Sequence, residues 1–250
     1  MIYIEYRNDE AFKILTNGLQ PPHLGACDCI NFIQRLDPAC GSGSLLIRAV
    51  NEAQHGATGY GQEKDVATAG LAKMNAVLHN QATITIKAGN TFSDPQFKHE
   101  RNGRDCLDRF DFVVANPPFS MKNWTHGLAG HEYGRFDGYG ATPPEKNGDF
   151  AWLLHILKII NDDAKAAVIL PHGVLFRGNA EGIIRENMVQ YIKGIISLPA
   201  NLFYGTPIPA CIIVLDKENV ESLCAYSGEP LYGGTGTIAR LCRSQTLFGG

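Results

Sequence analysis

Residues 32 to 46 read Phe-Ile-Gln-Arg-Leu-Asp-Pro-Ala-Cys-Gly-Ser-Gly-Ser-Leu-Leu, and this stretch decides the predicted fold. A short strand at 32–36, a glycine-rich turn and an apolar helical run form the opening of a nucleotide-type α/β fold. The turn glycines let the backbone pass close to a ligand, and the helix N-terminus offers N–H groups. Leu46 stands where a dinucleotide fingerprint has its third glycine, which argues against NAD and FAD. A lone Gly-Ser-Gly turn is more often structural, but Asp37 just ahead of it suits a cationic or amine-bearing ligand.

An acidic residue follows the second predicted strand, which spans 56–62. Glu63 lies 20 residues after Gly43, and a carboxylate at that place commonly binds ribose hydroxyls. The alternative is that Glu63 only caps the next predicted helix, 66–80. The glycine turn favours ribose binding. A third predicted strand, 84–87, brings Asn90 to the same edge of the sheet.

A rigid turn follows the fourth predicted strand. Residues 111 to 120 read Asp-Phe-Val-Val-Ala-Asn-Pro-Pro-Phe-Ser. Two consecutive prolines fix φ and supply no N–H donor, so the chain can neither continue the strand nor begin a helix at once. The turn therefore holds one amide side chain (Asn116), bare carbonyls and one aromatic face (Phe119) in a fixed relation. Such a turn is suited to gripping a planar group that carries an NH2.

Strands and helices alternate along most of the chain, which predicts an α/β fold with a mostly parallel, seven-stranded sheet and helices on both faces. The last strand, 210–216, follows a loop without a helix, so we expect it to run antiparallel. Two long loops are predicted, a polar, charged segment at 94–108 and a segment at 120–147 that is either functional or mobile. The second loop is the most plausible local basic surface, through Lys122, His126, His131, Arg135 and Lys146.

The composition is that of a globular protein, with 44% apolar and 19% charged residues and a net charge of −3. Seven cysteines, with no pair at zinc spacing, predict reduced thiols in a cytoplasmic protein without a metal site. The sequence shows neither a signal peptide nor an apolar run long enough to span a membrane. We expect a catalytic domain at 32–219, an unassigned segment at 1–31 and a poorly ordered tail at 220–250.

The two turns, taken together, resemble those of S-adenosylmethionine-dependent DNA adenine-N6 methyltransferases. More narrowly, the chain resembles the modification (M) subunit of type I restriction-modification systems over roughly residues 36–219. The supporting stretches are Tyr60-Gly61-Gln62-Glu63-Lys64, Gly148-Asp149-Phe150-Ala151-Trp152-Leu153-Leu154-His155, Ile169-Leu170-Pro171-His172-Gly173-Val174-Leu175-Phe176-Arg177 and Leu198-Pro199-Ala200-Asn201-Leu202-Phe203-Tyr204-Gly205-Thr206. The resemblance implies a class I S-adenosylmethionine-dependent methyltransferase (Rossmann-like) fold and direct, in-line methyl transfer to adenine N6 in double-stranded DNA.

The resemblance also implies the site residues and the partners. The catalytic residues would be Asn116, Pro117, Pro118 and Phe119. Phe119 is the first candidate to stack on the flipped-out adenine and Phe203 the second, with packing in the core as the alternative for Phe203. The residues binding S-adenosylmethionine would be Asp37, Ala39, Cys40, Gly41, Ser42, Gly43, Glu63 and Asn90, although Asn90 stands where the family commonly has Asp. The implied partners are DNA, a specificity (S) subunit and a restriction (R) subunit.

Two alternatives stay open at this point. The ends of the chain do not match the family, and no Gly-Glu-Phe-Tyr-Thr-Pro-like segment is found in residues 1–35, so the chain is expected to be a truncated core or a catalytically incomplete remnant. An Asn-Pro-Pro-aromatic turn also serves methyltransferases that act on a protein glutamine amide or on RNA guanine N2. The stretches at 148–155 and 169–177 favour DNA.

Overall fold

The computed structural model describes residues 33–53, 56–130, 132–203, 208–218 and 224–226; the predicted segment 1–31 lies outside them. The helices and strands are, in chain order, β1 (Ile33–Asp37), α1 (Ser44–Asn51), β2 (Ala57–Glu63), α2 (Val66–Leu78), β3 (Ile84–Ala88), β4 (Lys98–Arg101), β5 (Arg104–Leu107), β6 (Phe110–Ala115), α3 (Asp149–Ile159), β7 (Ile160–Pro171), α4 (Ala180–Met188), β8 (Ile192–Ser197), β9 (Ala210–Asp216) and β10 (Cys224–Tyr226). Short 3-10 turns follow β7 at His172–Leu175 and α4 at Val189–Tyr191.

The main sheet has the order β3-β2-β1-β6-β7-β9-β8-β10 in the described part of the chain. All neighbours are parallel except β9, which pairs antiparallel with both β7 and β8. The predicted antiparallel last strand, 210–216, is therefore confirmed. The α/β class with a mostly parallel sheet is confirmed as well.

Within the described residues the sheet has eight strands, rather than the seven predicted. The additional strand, Cys224–Tyr226, pairs in parallel with β8 and lies within the segment predicted to be a poorly ordered tail. It was missed because three residues are too few to show a strand periodicity. The remainder of that tail falls outside the described residues.

The predicted polar loop at 94–108 contains a two-stranded hairpin, so that prediction is wrong. Strands β4 and β5 pair antiparallel, and Arg101 lies opposite Arg104. The two linking residues, Asn102 and Gly103, have φ values of +53° and +73°. Positive φ at both positions is the geometry of a type I′ turn, which Asn-Gly favours. The hairpin is mostly exposed and charged, so it shows no apolar alternation.

Helix α3 is buried along nearly its whole length, because the 120–147 loop covers the side that the sheet leaves open. Trp124 in that loop is fully buried and donates from Nε1 to the carbonyl of Pro144 at 2.8 Å. A helix that is apolar all round needs such cover. The loop thus completes the core on this face of the sheet.

Arg135 belongs to this buried layer and not to the basic surface predicted for the loop. Its exposure is 1%, and its guanidinium donates to the carbonyls of Phe92 at 2.9 Å and Thr91 at 3.1 Å. Burial lowers the pKa of Arg135 to about 10, so it stays charged at neutral pH. Lys122 and His126 are exposed as expected, whereas His131 lies outside the described residues.

The order of the strands reverses between β1 and β6. The chain proceeds outward from β1 through β2 to β3, and then returns to pair β6 with the other side of β1. In open α/β sheets, ligands bind in the crevice beyond the carboxyl ends of the strands at such a reversal. The turns that follow β1 and β6 are therefore neighbours at this crevice.

Candidate active site

The glycine turn after β1 is held by its own backbone and by Asp37. Asp37 accepts a hydrogen bond from the Ala39 N–H at 3.0 Å, and the Gly43 N–H donates to the Cys40 carbonyl at 2.7 Å. Gly41 and Gly43 have φ values of +53° and +78°, a region that side chains avoid. A methyl group on Gly43 would lie 3.3 Å from the Cβ of Ala72 on α2, so this turn also needs glycine for close helix packing.

Glu63 at the end of β2 faces the glycine turn. Its Oε2 accepts from the Gly41 N–H at 3.0 Å, and its Oε1 accepts from the Asp65 N–H at 2.9 Å. Capping of α2 falls to Asp65, whose carboxylate accepts from the Thr68 N–H at 2.8 Å. The geometry thus favours the site interpretation of Glu63 over the capping alternative.

The Asp37 carboxyl is almost completely buried, with 1% exposure. Burial first, and the negative charge of Glu63 as a smaller cause, raise the pKa of Asp37 to about 7. The protein therefore keeps two carboxyls together beside a bare glycine backbone. Such an arrangement suits a ligand that brings hydroxyl donors or positive charge.

Asn90 lies just beyond β3 at the same edge. Its Oδ1 accepts from the Phe92 N–H at 3.0 Å, which leaves the two Nδ2 hydrogens to donate. The Thr91 hydroxyl donates to the Pro38 carbonyl at 2.5 Å and joins this turn to the glycine turn. An Asn here can therefore donate to a ring nitrogen of a ligand, whereas an Asp carboxylate could only accept from an N–H or O–H group.

The Asn116–Phe119 turn follows β6, beside the glycine turn. Asn116 is half-buried and its side chain makes no hydrogen bond to the residues that the structure describes. Pro117 is buried and Pro118 is exposed. Phe119 packs against the same apolar cluster as Leu45, at the start of α1, so one cluster underlies residues of both predicted turns.

Phe203 lies against the Asn116–Phe119 turn. The rings of Phe119 and Phe203 meet edge to face, with centroids 5.6 Å apart and planes at 83°. Phe203 is 8% exposed, so it supports Phe119 from below rather than offering a free face. The structure thus brings the predicted second aromatic to the site, as a buried neighbour of the first.

The thiols near the site are poor nucleophiles. Burial raises the pKa of both Cys40 and Cys211, the latter to about 12, so both remain protonated at neutral pH. His172 follows β7 and contacts the Ser197 hydroxyl through Nε2 at 3.3 Å. Burial lowers the pKa of His172, which favours its neutral form. With these groups uncharged, the site is suited to binding and orienting a reacting group rather than to attack by a thiolate.

Sequence reasoning did not single out Asp149, which contacts Ser120 at the end of the Asn116–Phe119 turn, or Arg177, which contacts Asp149. Asp149 Oδ1 accepts from the Ser120 N–H at 2.7 Å, and Arg177 Nη2 lies 2.5 Å from Asp149 Oδ2. An Asp at the start of a helix usually caps that helix. Nothing in the linear sequence distinguishes this capping role from contact with a neighbouring turn.

No group of three His, Cys, Asp or Glu side chains among the described residues is arranged to hold a metal ion. In the same part of the chain, no helix is both long and apolar enough to cross a membrane.

The family assignment rests on residues 31–229, which match the model of the N-6 DNA methylase family. The chain belongs to the N-6 DNA methylase family. The type I restriction enzyme MjaVIII methylase subunit of Methanocaldococcus jannaschii is 34% identical over 196 residues, which are 74% of this chain and 33% of that protein. This N-6 DNA methylase chain thus spans about a third of the length of the curated relatives it matches.

Solved structures share the fold of this N-6 DNA methylase chain. The type I restriction-modification system methyltransferase subunit of Streptococcus thermophilus superposes with a TM-score of 0.70 and 30% identity, over 86% of this chain and 48% of that one. A Listeria monocytogenes protein described as a class I S-adenosylmethionine-dependent methyltransferase superposes with a TM-score of 0.59 and 18% identity, over 87% of this chain and 65% of that one. The predicted class I methyltransferase fold is confirmed.

Proposed function

We propose that this chain carries the catalytic site of an adenine-specific DNA methyltransferase, which transfers a methyl group from S-adenosylmethionine to adenine N6. One observation carries the proposal. The glycine turn after β1 and the Asn116–Phe119 turn after β6 are adjacent at the point where the strand order reverses, and Leu45 and Phe119 both pack against one apolar cluster. A methyl donor in one turn would therefore face a planar amine in the other.

The residues beside the glycine turn fit S-adenosylmethionine. Glu63, already placed opposite the Gly41 N–H, would accept from the ribose hydroxyls, and Asn90 Nδ2 would donate to the adenine ring. Asp37 would receive a cationic or amine-bearing part of the ligand, and Ala39, Cys40, Gly41, Ser42 and Gly43 would supply the backbone surface. S-adenosylmethionine, when bound, supplies an electrophilic methyl group on its sulfonium.

The chain's own residues would prepare the target amine. Adenine N6 is a weak nucleophile because its lone pair is delocalised into the ring. The Asn116 side-chain oxygen and the Pro117 carbonyl would each accept one N6 hydrogen, which localises that pair and aims it at the methyl group. Pro118 holds this geometry rigid, and Phe119, backed by Phe203, would stack on the base once it has left the duplex. The N6 proton then leaves to solvent, so neither His172 nor a cysteine is needed.

Partners follow from the same proposal. We infer that the chain acts on double-stranded DNA as the M subunit of a type I restriction-modification system, together with an S subunit and an R subunit. The names of the relatives and a net charge of −3 support this, because a subunit without a basic excess depends on another chain for much of its grip on DNA. The catalytic domain would occupy about residues 32–219, together with the eighth strand.

Two measurements test the proposal. Calorimetry with S-adenosylmethionine should show one binding site on the 250-residue chain. Transfer from labelled cofactor should then be assayed with and without an S subunit, on DNA, on RNA and on a glutamine peptide, with the product nucleoside identified by mass spectrometry. N6-methyladenine on DNA alone supports the proposal. No cofactor binding would favour the catalytically incomplete remnant, and methylation of RNA or peptide would favour the alternative substrates.

A further inference from the structure

Two of the sequence stretches that carry the family resemblance contain none of the proposed site residues. They are 148–155, at the start of α3, and 169–177, at the end of β7. The structure joins them through one ion pair, in which Arg177 Nη2 lies 2.5 Å from Asp149 Oδ2. The Asp149 side chain is fully buried and that of Arg177 is 26% exposed, so the carboxylate is completely shielded from water and the guanidinium only partly.

The second carboxylate oxygen of Asp149 holds the end of the Asn116–Phe119 turn. Oδ1 accepts from the backbone N–H of Ser120 at 2.7 Å, and Ser120 directly follows Phe119. Ser120 has φ +50°, a left-handed conformation that a serine adopts unfavourably. A short hydrogen bond to a buried carboxylate is among the stronger ones, and here it holds that unfavourable turn in place.

Arg177 is itself fixed from the other side. Its Nε donates to Glu181 Oε2 at 2.7 Å, and Arg185 Nη1 donates to the Arg177 carbonyl at 2.8 Å. The guanidinium lies against Gly173, where an added methyl group would be 2.6 Å from Nη1. The positions of Ser120, Asp149, Arg177 and Glu181, here called the Asp149 network, are thus determined by three separate segments of the chain.

We propose that Asp149 and Arg177 are positioning residues for the methyl-transfer site, through the Asp149 network. They hold Ser120 in its left-handed conformation and so set the orientation in which Asn116 and Phe119 receive the adenine. The proposal rests on the proposed function for its kinetic consequence. Its structural consequence, protection of the Ser120 amide, is independent of that function.

The most informative variant is Asp149→Asn. Both partners of this side chain, the Ser120 N–H and Arg177 Nη2, are donors, and an amide offers only one acceptor oxygen. The nearly isosteric change therefore leaves one donor unsatisfied and removes the buried negative charge. The matched control is Asp162→Asn. Asp162 is an exposed carboxylate at the start of β7 that accepts two hydrogen bonds from Arg109, each 3.1 Å long.

Three readouts are compared for the full chain, with the S subunit added for the transfer assay. For Asp149→Asn we expect the Ser120 amide to exchange its hydrogen at least tenfold faster and its proton resonance to move upfield. We expect kcat per cofactor-titrated site to fall at least tenfold, while the Kd for S-adenosylmethionine stays within twofold. Asp162→Asn should leave the exchange rate, kcat per site and the Kd within twofold of the wild type, and the Ser120 amide resonance where it is. A purely structural role would reduce the number of titrated sites and leave kcat per site unchanged.

The conservative variant Arg177→Lys keeps the positive charge, but an ammonium lacks the planar guanidinium that contacts Asp149 and Glu181 at once. It should therefore show the changes expected for Asp149→Asn to a smaller extent. If Asp149→Asn does not fold, Arg177→Lys takes its place in the comparison. Ser120 exchange within twofold of the wild type in the folded variant would overturn the proposal, and so would fast exchange with unchanged kcat per site. If the wild-type chain transfers no methyl group, the proposed function fails, and the exchange comparison alone then decides whether the Asp149 network holds the turn.

Discussion

Phe119 and Phe203 meet edge to face, with ring centroids 5.6 Å apart and planes at 83°. One ring belongs to the turn after β6 and the other to the loop after β8, so the contact joins two segments that are 84 residues apart in the sequence. Phe119 is half-buried, whereas Phe203 is buried. The two rings therefore have unequal roles, with Phe119 presented to the substrate and Phe203 beneath it.

This inequality predicts different costs for truncating the two rings. Phe119→Ala should lower kcat/KM for DNA by about 10- to 100-fold, since stacking of a base on an aromatic contributes about 1–3 kcal/mol. Phe203→Leu should cost less, because it removes only an aromatic pair that contributes about 0.5–1.5 kcal/mol. Single-turnover methyl transfer at saturating cofactor measures both. A larger loss for Phe203→Leu than for Phe119→Ala would show that the base stacks elsewhere.

Cofactor binding should depend on pH through Asp37. Its pKa in the folded chain is about 7, raised from an ordinary value of 3.8, so below pH 7 the folded protein holds a proton on this carboxyl. A ligand that needs the ionised form must release that proton, and its affinity should fall about tenfold per pH unit below 7. Calorimetry at pH 6, 7 and 8 tests this, with Asp37→Asn as a control whose weaker affinity should not vary. A flat profile in the wild type would contradict it.

The raised pKa of Asp37 also makes the free energy of unfolding depend on pH. Between about pH 4 and pH 7 the folded state binds more protons at Asp37 than the unfolded state does, so this carboxyl makes the free energy of unfolding decrease as pH rises through that window. Above pH 7 the effect is constant. Urea denaturation at pH 5 and pH 8 should show a smaller decrease in Asp37→Asn than in the wild type. Equal decreases in both would assign the pH dependence to other groups.

Alanine substitutions at Gly43 and Gly130 distinguish the cost of backbone strain from the cost of lost close packing. Both have positive φ, +78° and +81°, but a methyl group would meet Ala72 at 3.3 Å in the first and open space in the second. Gly130→Ala should therefore cost about 1–2 kcal/mol of stability and leave cofactor binding unchanged. Gly43→Ala should cost more and weaken cofactor binding at least tenfold, because the turn must shift away from α2. Chemical denaturation and calorimetry measure the two effects, and equal behaviour of the variants would refute the packing argument.

Arg135 links the 120–147 loop to the turn after β3. Arg135→Met would leave the carbonyls of Thr91 and Phe92 without their donor, and unsatisfied buried groups cost about 1–3 kcal/mol each. We expect the free energy of unfolding to fall by about 2–4 kcal/mol. Arg101→Met, on the exposed strand β4, should change it by less than about 0.5 kcal/mol. Similar urea midpoints for the two variants would mean that the buried guanidinium does not hold the loop.

The sequence predicts those parts of the fold whose signals are local. Apolar runs and the glycine turn locate β1, β2, β3, β6 and β9, and the missing helix before β9 indicates its antiparallel direction. The hairpin at 98–107 was missed although Asn102-Gly103 is a recognised type I′ signal, because its strands are charged and exposed.

The candidate site, like the fold, has residues whose place the sequence predicts and residues whose surroundings it does not. Four of the predicted site residues lie at the ends of strands or just beyond them: Asp37, Glu63, Asn90 and Asn116. Their common edge of the sheet can therefore be predicted from the order of the elements. Burial cannot be predicted in that manner, because a charged residue looks the same in the sequence whether its side chain faces water or buried partners. Arg135 and Asp149 are of this kind, and only the three-dimensional packing of the loop against α3 reveals their partners.

The central claim concerns Asn116, and one comparison tests it most directly. Wild type and Asn116→Ala are each saturated with S-adenosylmethionine and S subunit, and the rate at which N6-methyladenine forms in DNA is measured in a single turnover. We predict a loss of about 100-fold or more, as for removal of one preorganised polar group, with the Kd for the cofactor within about threefold of the wild type. Methylation by Asn116→Ala at the wild-type rate would contradict the account.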